Sequence, residues 1–185
     1  MVERVRSSWG AIDLAVANAG IGMPTPASKF VLEDAERIMR TNFFGTLYLF
    51  DAVIPHMIER RAGRFAGIAS LAGLRGLPGA SMYSASKAAM QSFLEASRIE
   101  LRSRGVGVTV VNPGFIHTDM TAKNRFPMPF IMPVDKAAAI IARGLERGAK
   151  QIEFPIPMSL MVRSARLMPP AIYDAVYAKF GKKKS

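Results

Sequence analysis

Residues 106–112 read VGVTVVN, a β-branched run bounded by Gly105 and Pro113, and this stretch constrains the fold more than any other. Its length and composition fit a buried strand, and the helical pattern before it, residues 83–104, is stopped by Gly105. The same alternation recurs on both sides. Residues 12–17 (IDLAVA) form a short apolar run that closes on Asn18-Ala19-Gly20. Residues 32–61 then place Ile38, Met39, Phe43, Leu47, Phe50, Val53 and Ile54 at helical steps, with Pro55 expected to kink or tighten the end. Residues 63–70 (GRFAGIAS) read as the next strand. A helix over 134–147 and a strand over 151–154 complete the series. Buried strands alternating with helices imply an α/β fold, a parallel sheet with helices on both faces.

At 185 residues, half of them apolar, the chain can bury one core and is expected to form a single domain. It has no cysteine and only two histidines, His56 and His117. Thiol catalysis, disulfides and cysteine-ligated zinc are thereby excluded, and no metal site is expected. The formal charge of +11 raises a nucleic-acid partner, but the basic residues are scattered beside acids and are not interleaved with aromatics. No nucleic-acid partner is expected. The first ten residues are charged and lack the apolar core of a signal peptide, and no apolar run is long enough to span a bilayer. A cytoplasmic protein is expected.

Chemistry enters at Tyr83-Ser84-Ala85-Ser86-Lys87. Four residues apart on a helix, Tyr83 and Lys87 share a face, and a neighbouring cation favours phenolate. Tyr83 could then exchange a proton with a substrate hydroxyl. Ser70 closes an apolar strand thirteen positions earlier, where open α/β sheets bind ligands. Asn42 sits in a helical stretch to which Asn is poorly suited, so it either faces solvent or holds a buried water. The turns at Asn18 and at Pro113-Gly114, with Thr118 beyond, lie on the same sheet edge and can converge with Ser70 and Tyr83.

With these residues in this order, the sequence resembles the short-chain dehydrogenase/reductase family. The matching positions are Asn18 to Gly20, Asn42 with Gly45, Ser70, Tyr83 with Lys87, and Pro113-Gly114 with Thr118. The resemblance implies a Rossmann-like sheet and an oxidoreductase that moves hydride between NAD or NADP and an alcohol or a ketone or aldehyde. It makes Asn42, Ser70, Tyr83 and Lys87 the catalytic set. Tyr83 would be the acid/base and Ser70 would polarise the carbonyl. Lys87 would hold the nicotinamide ribose and lower the tyrosine pKa, and Asn42 would anchor a relay water. Asn18, Gly20, Pro113, Gly114, Ile116 and Thr118, with Tyr83 and Lys87, would line the cofactor. Residues 119–133 would be a substrate lid, and a homodimer or homotetramer would form through the two long helices.

The family's opening strands and Gly-rich phosphate loop have no counterpart in these residues. The expectation is an N-terminally truncated member that starts in the helix before the family's fourth strand. The alternative reading is a fold remnant that binds or regulates without catalysis. Phe115 and the Met, Phe and Pro residues of 120–133 suggest an apolar small-molecule alcohol or ketone. Residues 155–185 form a helical cover, and SLMVRSARLM within them sets Arg163 and Arg166 among Leu160, Met161, Leu167 and Met168. That composition also suits peripheral membrane contact, but apolar helical stripes are more often packing faces, so a cover over the cleft or a subunit interface is preferred.

Overall fold

The computed structural model describes residues 1–122, 124 and 126–181. Four strands form one parallel sheet in the order β1 (Leu14–Ala17), β2 (Arg64–Ile68), β3 (Gly107–Pro113) and β4 (Gln151–Phe154). Between them run α2 (Leu32–Met39), α3 (Gly45–Arg60), α4 (Ser81–Leu101), the short α5 (Asp119–Ala122) and α6 (Val134–Glu146). Helix α1 (Val2–Trp9) precedes β1, and α7 (Ile156–Leu167) and α8 (Pro170–Gly181) follow β4. Of the 119–133 lid, residues 123 and 125 lie outside the described residues, as do residues 182–185 of the C-terminal cover.

Strand periodicity sorts the core into two layers. Ala15, Ala17, Phe65, Val108 and Val110 pack under Val53, Ile54 and Met57 of α3 and Met90 and Leu94 of α4. Val111, Ile152 and Phe154 pack under Ala137, with Ile140, Ile141 and Leu145 of α6. Successive residues of a strand point to opposite faces, so both layers draw on β3. β1 is an edge of the described sheet, and Leu14 and Val16 remain exposed on it. Gly105 ends the α4 segment at φ 77°, with its would-be Cβ position 2.3 Å from the Arg61 carbonyl oxygen, so only glycine fits there.

The expected helix over 32–61 is interrupted. Residues Arg40–Phe44 form a π turn, marked by the Gly45 N–H donating to the Arg40 carbonyl, and Pro55 lies inside the continuous helix α3. Apolar spacing tolerates one extra residue, which hid the turn from the sequence pattern.

Candidate active site

The π turn is what positions Asn42. Its side chain is fully buried. Its Oδ1 accepts the Ile21 N–H at 2.8 Å, and its amide donates to the Ile21 carbonyl at 3.0 Å and to Ser86 Oγ at 3.0 Å. Ser86 Oγ in turn donates to the Tyr83 carbonyl at 2.8 Å. Asn42 therefore neither faces solvent nor keeps an amide proton for a water. It ties the loop after β1 to the turn of α4 that carries Tyr83. Thr25, buried in that same loop, accepts the Met82 N–H at 3.1 Å and so caps α4.

Ser70 follows β2 and caps the short turn Leu71–Gly73, its Oγ accepting the Ala72 N–H at 3.1 Å and donating to the Pro113 carbonyl at 3.5 Å. That turn presses on α4 so closely that a Cβ on Gly73 would lie 2.8 Å from the backbone carbon of Lys87. The close approach brings the Ser70 hydroxyl to the Tyr83 phenol, whose pKa it lowers against the effect of burial. Lys87, one turn further along α4, is buried and donates from Nζ to the Ile68 carbonyl at 2.7 Å. Its Nζ is 5.8 Å from the centre of the Tyr83 ring. A Cβ on Gly20 would sit 3.4 Å from Lys87 Nζ and 3.5 Å from Asn42 Oδ1, and the Asn18 carbonyl oxygen lies 3.9 Å from the same point. Asn18, Gly20, Asn42, Ser70, Tyr83 and Lys87 thus gather at the C-terminal end of the sheet.

The remaining expected residues are less tightly joined. Pro113 ends β3, and Gly114 donates its N–H to the Phe154 carbonyl at 2.7 Å, with Met158 of α7 packed over it. Ile116 bridges to Met132. Thr118 is exposed at the start of α5, and its hydrogen bonds among the described residues run to Thr121 and Ala122. Met120 reaches back across the edge: a Cβ on Gly22 would be 3.2 Å from its Sδ and 3.6 Å from the Tyr83 ring. Met120 therefore sets an apolar side chain beside Gly22 and the Tyr83 ring.

Electrostatics corrects one expectation. Burial pushes the Tyr83 phenol above its ordinary value, and the Ser70 hydrogen bond only partly offsets that. Lys87 directs its Nζ to the Ile68 carbonyl, and burial is the larger influence on the phenol. Burial in turn lowers Lys87 to about 8.

A second polar chain, absent from the sequence reading, runs beside the first. Gln91 Nε2 donates to the Ser70 carbonyl at 2.7 Å and to Asn112 Oδ1 at 2.8 Å. Asn112 Nδ2 donates to Glu153 Oε1 at 3.0 Å, and Glu153 also accepts from Gln151, Ser159 and both Nε and Nη2 of Arg163. Burial would raise the Glu153 carboxyl, but its donors Arg163, Ser159 and Asn112 outweigh it and hold the group below its ordinary value. The signal available in sequence was a polar residue at the end of each of two neighbouring strands.

A family model described as short chain dehydrogenase matches residues 1–128. An uncharacterized oxidoreductase of Myxococcus xanthus is 41% identical over 94% of this chain and 70% of its own length. Dehydrogenase/reductase SDR family member 7B of Mus musculus is 36% identical over 61% of this chain, which spans only 35% of that protein. A short chain dehydrogenase from Burkholderia cenocepacia, crystallised in complex with NADP, superimposes with a TM-score of 0.79 at 29% identity, covering 96% of this chain and 74% of its own. The chain belongs to the short chain dehydrogenase family of oxidoreductases.

Proposed function

We propose that this protein interconverts an alcohol and a ketone or aldehyde with NAD or NADP, using Tyr83 as the acid/base. The observation that carries the reading is the gathering of the Ser70 hydroxyl, the Tyr83 phenol and the buried Lys87 ammonium at one strand-end cleft. The residues suit the nicotinamide half of a dinucleotide. Lys87 has one hydrogen-bond acceptor among the described residues, leaving N–H donors for ribose hydroxyls, and the bare Gly20 beside it admits a close ligand. Asn18, Pro113, Gly114, Ile116 and Thr118 would line the same cleft. The relative from Burkholderia cenocepacia, solved with NADP, supports that cofactor class.

When bound, the nicotinamide would supply or accept the hydride. Ser70 Oγ holds and polarises the substrate oxygen. Tyr83 Oη gives that oxygen a proton in reduction and takes it back in oxidation. Burial favours the protonated phenol, the form that gives its proton in the reductive direction. Asn42 fixes the Ile21 loop and the Tyr83 turn with both amide protons, so a relay water held there would donate to one of its oxygens, and protons would be resupplied through it and Lys87.

The substrate is an apolar alcohol or carbonyl, a reading supported by Met120 beside Tyr83 and by the packing of Phe115 on Phe126. A homodimer or homotetramer through α3 and α4 is supported by exposed Phe44, Tyr48 and Ile99, and the protein would work in the cytoplasm. No described helix is long and apolar enough to cross a membrane. The test is oxidation of NADH or NADPH by the whole protein with apolar ketones, compared with small polar ones. Turnover that Tyr83→Phe leaves intact sinks the assignment.

A further inference from the structure

The second polar chain ends on a residue of the active site. Gln91, one turn beyond Lys87 on α4, gives its two Nε2 hydrogens to the Ser70 carbonyl at 2.7 Å and to Asn112 Oδ1 at 2.8 Å. Asn112 precedes Pro113 on β3, and the Pro113 carbonyl accepts the Ser70 hydroxyl at 3.5 Å. Ser70 is thus gripped at both ends of one ring, which runs from its carbonyl through the Gln91 and Asn112 side chains and back along β3 to its own Oγ. Gln91 and Asn112 are both buried, where a lost donor is not readily replaced by solvent.

The polarity of the ring is set from outside it. The Glu153 carboxylate, clamped by Arg163 Nε at 2.8 Å and Nη2 at 3.0 Å, can only accept. Asn112 therefore turns Nδ2 to Glu153, at 3.0 Å, and leaves Oδ1 for Gln91. Gln91 must answer with an N–H, and the second N–H of the same nitrogen reaches Ser70. Turned over, the Gln91 amide would set its oxygen against two carbonyl oxygens. Space is as tight as polarity, since a Cβ on Gly73 would lie 2.8 Å from Gln91 Nε2.

The two bonds at Ser70 differ in kind. Its carbonyl takes the short bond from Gln91 and a second from the Gly73 N–H at 3.0 Å, so the peptide plane after Ser70 is fixed. Its hydroxyl bond to Pro113 is at the long limit, which leaves Oγ free to exchange that carbonyl for a substrate oxygen. We propose that Gln91 is a positioning residue: by tying the Ser70 backbone to β3 it aims the Ser70 hydroxyl at the substrate oxygen that Tyr83 protonates. The proposal rests on the alcohol and carbonyl reading for its effect on turnover, and on geometry alone for the placing of Ser70.

The experiment is a double-mutant cycle on the whole protein, read by reduction of an apolar ketone with NADH or NADPH and by crystal structures of the ligand-free variants. Gln91→Met keeps the length of the side chain and loses both donors. It should lower kcat about tenfold while KM for the nicotinamide changes less than about twofold. In a Ser70→Ala background the same substitution should cost less than about twofold, because no hydroxyl is left to aim. In the Gln91→Met crystal, Ser70 Oγ should have left the Ala72 N–H that it accepts in the parent. Asn112→Ser leaves Gln91 in place but unties it from β3, and should show the same pattern with a loss of about threefold; it decides the matter if Gln91→Met does not fold. Equal losses with and without the Ser70 hydroxyl would overturn the proposal, since a residue that only stabilises the fold acts in both backgrounds alike. A Ser70 that stays in place in the variant crystals would overturn it too. A parent that reduces no ketone would remove the catalytic reading instead, and the crystals would still decide whether Gln91 places Ser70.

Discussion

Two buried polar clusters lie side by side at the C-terminal end of the sheet, and they are built on opposite terms. In the chain from Gln91 through Asn112 to Glu153, each side chain is matched to donors or acceptors on its neighbours, and Arg163 closes the far end. The cluster of Asn42, Tyr83 and Lys87 is left open at its centre: both Asn42 amide protons are matched, but the Lys87 ammonium has one acceptor among the described residues and burial raises the phenol above its ordinary value. A closed network is a scaffold, because burying polar groups costs little once they are paired. An open one carries a cost that only a ligand or a reaction can offset.

The sharpest way to break the comparison is in the open cluster. Tyr83→Phe should lower turnover of the whole enzyme by ~10³-fold or more while nicotinamide binding, followed by fluorescence, changes little. Equal losses in binding and turnover would recast Tyr83 as a packing residue. Lys87→Met should cost ~10²-fold in turnover and should also change how stability responds to pH. The folded pKa of Lys87, about 8, lies below its ordinary value of 10.5. Between those values the unfolded chain binds the extra proton, so stability should rise with pH across that window. Urea melts across it should show the rise in the parent and a flatter response in the variant.

The closed chain should answer in stability first. Gln91→Leu strands Asn112 Oδ1 and takes one of two donors from the Ser70 carbonyl, which keeps the Gly73 N–H, at a cost of ~2 kcal/mol by urea denaturation. A loss under about 0.5 kcal/mol would mean that the chain is not the scaffold described. Glu153→Gln should cost least, ~1 kcal/mol, because the amide still accepts from Asn112 while the paired contact to Arg163 is lost. The carboxyl of Glu153 is held below its ordinary value, so its contribution is present at neutral pH and is lost as pH falls through the lowered pKa. The acid limb of the stability curve should shrink in the variant.

The strands were legible because β-branched runs ended at Gly and Pro, and residues 151–154 form β4 as read. Strand ends also located Ser70 and the Pro113 turn, and helical spacing joined Tyr83 to Lys87. What escaped notice depended on contacts between elements far apart in the chain. Ser86 looked like a spacer between Tyr83 and Lys87 until Asn42 reached it from 44 residues away. Glu153 alternates with Ile152 as an outward strand residue would, and the approach of Asn112 from β3 and of Ser159 and Arg163 from α7 makes it an acceptor. The tyrosine pKa was read from its neighbouring cation, and spacing alone says nothing of the burial that raises it. The apolar stripe of α7 was read as a cover over the cleft or a subunit interface, and Leu160, Met161 and Leu167 are exposed on the single chain.

The π turn at Arg40–Phe44 has a consequence for how this helix can change. Removing one residue there would restore ordinary α-helical winding and swing Asn42 by about 100° about the axis. It could then no longer reach both Ile21 and Ser86. A segment with no loop and no exposed turn is therefore as intolerant of a single-codon deletion as any catalytic side chain, since its residue count, and not only its residue identities, sets the aim of Asn42.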